Sequence, residues 1–262
     1  MKKLLLCSLV LLSAFALGAT AQNHRPKKTP KPEPRPSASA NVQPTPAGPA
    51  KRNGRPGAAA QIPATDKQAF EPDYRYEFSR PGFTYSPIVI EHDAAGRGRI
   101  SFTRDGYDEP FTDPLQLTTV TLGKIDDALK ALDYLNSSEV YQTARDYSTM
   151  GNTTFTYRSG GRERTVKYNW TENKHAKALM DEYRHIGNEY TWRFQMSLAR
   201  ENQPLETPAL MDQIDSYLTR GEISDPANLV QFLTELSNDE RLPLLARNRA
   251  SKLIARIAKA GK

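Results

Sequence analysis

The sequence predicts an α+β fold: an antiparallel sheet of hairpins packed by helices on one face, with a C-terminal helical subdomain. Apolar and polar residues alternate in several short runs between residues 74 and 170, separated by turns rich in glycine and aspartate. This period of two is typical of strands with one buried face. After Thr171 the apolar residues recur every three or four positions, which places them on one face of a helix. An apolar sheet face and apolar helix stripes bury each other in a two-layer core.

Four strands and one helix are expected in the first part of the globular region. The strands are, in order, the segment carrying Tyr74, Tyr76 and Phe78, then Tyr85–His92, Arg99–Arg104 and Leu115–Thr121. Pro87 lacks an amide donor, so we expect its strand to lie at a sheet edge. Leu122, Ile125, Leu129 and Leu132 then mark an amphipathic helix that ends near Asn136.

The stretch Asn152–Gln203 should form the centre of the fold. Phe155 and Tyr157 precede a Ser-Gly-Gly turn, and Val166, Tyr168 and Trp170 alternate after it, which predicts a hairpin with one apolar face. A helix follows, and its apolar stripe consists of Leu179, Tyr183, Ile186, Tyr190 and Phe194. We expect Tyr168 and Trp170 to lie beneath this helix.

Helix start and stop signals divide the remainder of the chain. Pro204 should end the long helix, and Thr207 with Pro208 should start the next, which Gly221 ends. Asp225 followed by Pro226 is another start signal. We expect the last helix to begin at Asn238, and its apolar face to consist of Leu242, Leu245, Leu253, Ile254 and Ile257. These signals separate an α+β domain, Asp66–Gln203, from a helical subdomain, Pro204–Lys262.

The first 21 residues have the three zones of a secretory signal. Lys2 and Lys3 give a positive start, Leu4–Leu17 an apolar run, and Ala19-Thr20-Ala21 a small-residue cleavage site. The alternative is an uncleaved anchor, although a membrane span needs about 20 apolar residues. The only cysteine, Cys7, lies inside the apolar run, so the processed chain has no thiol chemistry and no disulfides. An exported, periplasmic or secreted bacterial protein is expected.

The segment Gln22–Thr65 is predicted to be a disordered, proline-rich linker. It holds 10 of the 19 prolines and almost no large apolar residue. Eight cations and one glutamate give it a charge of +7, and the leader adds +2, so a total of +6 leaves −3 for Asp66–Lys262. Because the basicity belongs to the linker, a nucleic-acid surface on the folded part is not expected.

Two interpretations of this basic linker remain open. It is a soluble spacer, or it is an arm that holds an anionic envelope polymer or lipid phosphates. The candidate contacts of the second interpretation are Lys27, Lys28, Lys31 and Arg35. Proline between the cations keeps the charges extended, which suits both interpretations.

Three groups of polar residues are candidates for chemical sites. Candidate calcium ligands are Asp105, Asp108, Glu109 and Asp113, whose spacing departs from the EF-hand order and also suits an aspartate-rich turn. His92 and Asp93 are interpreted as an exposed histidine beside a turn-forming aspartate. His175 and His185 are ten residues apart on one predicted helix and so do not share a face, which argues against metal binding.

Basic residues form a stripe along the last predicted helix. Arg249, Lys252 and Arg256 recur at helical spacing opposite its apolar face and are candidate contacts to an anionic partner. Cations near a helix C-terminus also complement its dipole, and this structural interpretation is favoured.

Two segments, GRGRISFTRDG and GGRERTVKYNWTENK, resemble a family of secreted bacterial proteins. These proteins follow a signal and a low-complexity segment with a β-rich domain and C-terminal helices. The resemblance covers the chain from Phe70 onward and implies no activity, cofactor or site residue.

The sequence as a whole favours an exported, non-catalytic envelope protein that binds or scaffolds an unknown protein partner or polymer. No G-x-S-x-G motif occurs, histidines number four, and no cofactor or catalytic residue is predicted. The alternative is a secreted hydrolase that uses Asp and Glu carboxylates, because such pairs leave no sequence signature.

We expect the processed protein to begin near Gln22, because signal peptidase cleaves after a small-x-small site. N-terminal sequencing or the intact mass of the exported protein measures this. Retention of Met1–Ala21 would show that the apolar run is an anchor.

Overall fold

The computed structural model describes residues 71–261, so the predicted leader and basic linker lie outside the described residues. The strands are β1 Tyr74–Ser79, β2 Tyr85–His92, β3 Arg97–Arg104, β4 Phe111–Gln116, β5 Asn152–Ser159 and β6 Arg162–Tyr168. The helices are α1 Thr119–Ala131, α2 Lys174–Asn202, α3 Thr207–Arg220, α4 Val230–Asn238 and α5 Leu244–Ala260. Short 3-10 turns lie at Ser148–Met150, Pro204–Glu206 and Pro226–Leu229.

The six strands form one antiparallel sheet in the order β4-β3-β2-β1-β5-β6, which confirms the predicted α+β class. The long-range pair β1–β5 joins the two groups of strands, with Tyr76 opposite Phe155. Tyr76 also lies opposite Ile90 on β2, so the three side chains share one face of the sheet. All three are almost fully buried in the first hydrophobic core, which includes α1 and α2 residues.

The 29-residue helix α2 contributes to two hydrophobic cores. Asn173 caps its first turn, because the side-chain oxygen accepts from the amides of His175 and Ala176. The predicted stripe that includes Tyr183 and Ile186 packs against the sheet, as expected. Trp192 and Met196 lie in a second core with the C-terminal helices.

The C-terminal helices use the predicted signals at Gly221 and Asp225, but two other signals differ. Thr207 was expected to cap α3, yet it is the first residue of the helix, and its hydroxyl donates to the carbonyl of Pro204 instead of accepting from a helix amide. Gly221 ends α3 at φ +70, in the left-handed conformation that glycine adopts without strain. The Asp225 side chain accepts from the amide of Ala227 at 3.1 Å and caps the following turn.

Within residues 71–261, no helix combines the length and the apolar character that a bilayer crossing requires.

The last helix was expected from Asn238, but α4 ends there and α5 begins at Leu244. Pro243 is extended, with ψ 140, and separates the two helices because proline fixes the backbone at the helix start. Leu245, predicted to be internal, is 54% exposed.

The prediction for Pro87 and for the fourth strand was also wrong. Strand β2 lies inside the sheet, and Pro87 is tolerated because the β2–β3 register shifts between Tyr85 and Ile88. The fourth strand ends at Gln116 rather than Thr121. Thr118 accepts from the amide of Thr121 and caps α1, so these threonines start a helix instead of continuing a strand.

Trp170 does not lie beneath α2, although Tyr168 does. Strand β6 ends at Tyr168, so the alternation of faces stops two residues before Trp170. Trp170 is 36% exposed, and its ring lies 5.1 Å from that of Tyr147. Tyr168 is buried, and its hydroxyl donates to the carbonyl of Ala176 in the first turn of α2.

Truncation of Tyr168 or Ile186 to alanine should lower the free energy of unfolding by about 2–5 kcal/mol, because each opens a cavity in the first core. Lys167→Ala is the matched control, since Lys167 is exposed on the other face of β6. Its cost should stay within about 0.5 kcal/mol. Denaturant melts measure all three, and equal costs for Lys167 and Tyr168 would contradict the register.

Candidate ligand-binding cavity

A cavity of about 400 Å³ lies between the β1–β2 hairpin and the middle of α2. Strand residues Tyr76 and Ile88 contribute to its wall, and Gly187 faces them from the helix. Glu222, after the end of α3, closes another side. Other surface cavities have similar volumes, such as one of about 480 Å³ between α3 and α5. The one beside α2 combines stacked aromatic rings with two arginines.

Stacked aromatic rings and two arginines line this cavity. The rings of Tyr76 and Tyr183 are parallel within 8°, with centroids 4.9 Å apart. The Arg184 guanidinium lies 5.2 Å from the ring centroid of Phe78. Arg80 lies 4.2 Å from the ring centroid of Phe83, so each cation rests on an aromatic face.

Three buried polar groups lie together at the wall of the cavity. Tyr76 and Arg184 line the cavity, and Thr153 lies next to Tyr76 outside the lining. Tyr76 Oη, Thr153 Oγ1 and Arg184 Nε have no well-aligned hydrogen bond among residues 71–261. Burial raises the pKa of Tyr76 to about 12, and the charge of Arg184 and hydrogen-bonding contacts with Thr153 and Arg184 oppose this rise. The three groups are therefore neighbours whose mutual hydrogen bonds have imperfect geometry.

His92 was interpreted as exposed, but its side chain is fully buried behind Tyr183. Its Nδ1 lies 2.8 Å from the carbonyl oxygen of Asp93, so Nδ1 carries the proton and donates. Nε2 then accepts from the Tyr183 hydroxyl at 2.8 Å. Burial lowers the pKa of His92, which keeps the ring neutral and this arrangement intact.

Asp93 forms the predicted turn. Its Oδ1 accepts from the backbone amides of Ala95 and Arg97, each at 2.9 Å. His92 follows Ile88 and Ile90 in the period of two along β2, and that phase was the signal for its burial.

A chain of hydrogen bonds holds the segment that closes the cavity. Ser224 Oγ donates its hydroxyl hydrogen to the buried carboxylate of Glu182. Because that hydrogen is already engaged, Ser224 Oγ accepts from Thr121 Oγ1 at 2.5 Å. Lys124 Nζ donates to the Ser224 carbonyl and lies 3.6 Å from Glu182 Oε1. These contacts connect α1 and α2 to the residue that follows Glu222 and Ile223 along the chain.

Two titratable groups on the cavity wall have shifted pKa values. A hydrogen bond from Arg220 lowers the pKa of Glu222 and holds it ionised. Burial lowers the pKa of His185, and the carboxylate of Glu182 opposes that shift. His175 does not line the cavity, so the two helix histidines form no joint site.

The predicted calcium ligands do not gather into a site. Asp105, Asp108 and Glu109 lie in the exposed β3–β4 turn, and Asp113 is within β4 opposite Ile100. Burial raises the pKa of Asp113, which disfavours the ionised form that a cation needs. No group of three or more metal-binding side chains was found in the described part of the chain.

The basic stripe of α5 contacts α3. Arg249 donates to the Pro208 carbonyl and pairs with Asp212 at 2.8 Å, and Arg256 pairs with Asp215. Lys252 is exposed between them. Arg249 and Arg256 therefore have a structural role, which is to bind α3 rather than to complement the helix dipole. The candidates Lys27, Lys28, Lys31 and Arg35 lie outside the described residues.

Replacing Tyr76 by phenylalanine should leave the free energy of unfolding unchanged or raise it by about 1 kcal/mol, because the buried hydroxyl that it removes has no well-aligned hydrogen bond. Tyr183→Phe is the matched comparison. It leaves the buried Nε2 of His92 without a donor and should cost about 1–3 kcal/mol. Denaturant melts of both variants measure the difference, and a larger loss for Tyr76→Phe would show that its hydroxyl is already paired.

Two comparisons with known proteins found no match, so the proposal of function rests on the geometry described above. No protein-family model matches the chain, and no curated protein matches it either.

Proposed function

We propose that this protein is an exported, non-catalytic cell-envelope protein that binds a small ligand in the cavity beside α2. Its volume of about 400 Å³ suits a small molecule, since ligand sites usually measure about 300–1,000 Å³. The signal-like Met1–Ala21 segment supports export. The basic linker supports attachment near an anionic envelope polymer or lipid surface.

Gly187 is the observation that carries the proposal. It lies in the interior of α2, where glycine costs about 0.5–1 kcal/mol relative to alanine. A Cβ at this position would meet Ile88 at 3.8 Å, an ordinary contact distance, so packing does not require the missing side chain. The space that Gly187 leaves open belongs to the cavity. The missing side chain at Gly187 therefore leaves room beside the cavity that a larger residue would fill, and this room supports a binding site.

The hydrolase alternative has two cavity carboxylates to consider, Asp181 and Glu222. A carboxylate mechanism needs one carboxyl that stays protonated to act as the general acid. The hydrogen bond from Arg220 lowers the pKa of Glu222, which disfavours the general-acid role, and Asp181 is ion-paired with Lys177. The environment of Glu222 thus supports binding over hydrolysis.

Replacing Gly187 by alanine should raise the free energy of unfolding by about 0.5–1 kcal/mol and narrow the cavity. Gly123→Ala is the matched control. Gly123 is also helical, and a Cβ there has no neighbour within 4 Å, so its gain should be similar without any effect on the cavity.

A binding experiment distinguishes the effect of Gly187 from that of Gly123. In an NMR screen of small aromatic fragments, hits should shift the amide signals of Arg184 and Gly187 in the wild-type chain. Gly187→Leu should abolish those shifts because its side chain fills the cavity, and Gly123→Leu should preserve them. Fragments that bind the Gly187→Leu variant as well as the wild type would refute the proposed site.

A further inference from the structure

The charges that line the cavity are unequally paired. Its two carboxylates have partners outside the lining: Asp181 pairs with Lys177, and Glu222 pairs with Arg220 at 2.7 Å. Within residues 71–261, neither of the lining arginines, Arg80 and Arg184, forms a salt bridge. The charge available to a ligand is therefore positive.

The arginines determine the kind of hydrogen bond that the cavity offers. A guanidinium group can only donate hydrogen bonds. Arg80 and Arg184 are half-buried on the cavity wall, each against an aromatic ring. Donors of this kind match a ligand atom that accepts, and an anionic oxygen accepts most strongly.

The rest of the lining is apolar. Phe78, Ile88 and Met150 line the cavity beside the arginines, and Met150 is 55% exposed at the surface. A ligand in this cavity thus buries a hydrophobic or aromatic body while its charged end reaches Arg184.

We infer that the ligand is a small molecule with an aromatic or apolar body and one anionic group, a carboxylate or a phosphate, that Arg184 and Arg80 bind. This inference rests on the proposed function. Carboxylate and phosphate share the recognition chemistry, because both accept the paired N–H groups of arginine.

The test compares three probes of similar shape by calorimetric titration of the full chain. Benzoate and phenyl phosphate carry the two anionic groups, and benzamide is the neutral counterpart. At least one anion should bind about tenfold more tightly than benzamide, which is the gain of one charge-assisted hydrogen bond. The tighter anion identifies the group that the site prefers.

Variants assign the preference to the named residues. Arg184→Gln should remove the roughly tenfold preference for the anion. Arg80→Gln tests the same charge from a residue that α2 does not carry, in case Arg184→Gln does not fold. Arg241→Gln is the matched control, because Arg241 pairs with Asp239 away from the cavity and its loss should leave the preference intact.

The outcomes distinguish this inference from the proposed function. Equal binding of benzoate, phenyl phosphate and benzamide, lost in Gly187→Leu, would overturn the anionic preference and keep the cavity as a binding site. Anion binding that survives Gly187→Leu would place the anion elsewhere and refute the inference. If no anionic probe binds, the inference also fails, and the fragment screen decides the proposed function separately.

Discussion

The structure depends on one long helix that is buried on two sides. The stripe of α2 that includes Tyr183 and Ile186 covers the sheet, while Trp192 and Met196 on another face form the centre of the C-terminal bundle. An α-helix is rigid over 29 residues, so the sheet and the bundle are held to one common element. A change in α2 therefore affects both cores. The cavity lies beside the part of α2 where its second buried face begins, from Asp181 to Asn188.

That second face is held by carboxylates as well as by apolar packing. Glu182 accepts from Ser224, and Glu189 accepts from Asn228 at 2.9 Å and from Arg193. Burial raises the pKa of Glu189, and Arg193 opposes this rise, so the ion pair offsets part of its own desolvation. Both glutamates bind the segment that follows α3 and fix the position of the chain around Glu222. The hydrogen bonds have a direction that apolar contacts lack, and this directionality defines one wall of the cavity.

Departures from stable packing are concentrated around this cavity. Gly187 weakens the helix without a steric need, and the buried polar groups of Tyr76, Thr153 and Arg184 have only imperfectly aligned hydrogen bonds. Each feature alone has a modest cost, but residues that break local rules together usually mark a functional site. The nearby Tyr183, in contrast, is fully satisfied by His92. Both stacked tyrosines line the cavity, so groups with good and with imperfect hydrogen bonds lie side by side there.

The sequence by itself determined the elements of the fold, because the signals for them are local. Alternation over Tyr74–Phe78 and Tyr85–His92, and steps of three and four along α2, located strands and helix faces before any contact was known. Trp170 was misplaced because an alternating pattern does not show where strand pairing ends. The tertiary structure alone decided the candidate site. Tyr76, Met150 and Arg184 come from β1, from the turn before β5 and from α2, and they meet only because β1 pairs with β5 and α2 packs over that pair. Convergence of side chains from distant segments has no periodic signature, so no reading of one segment predicts it.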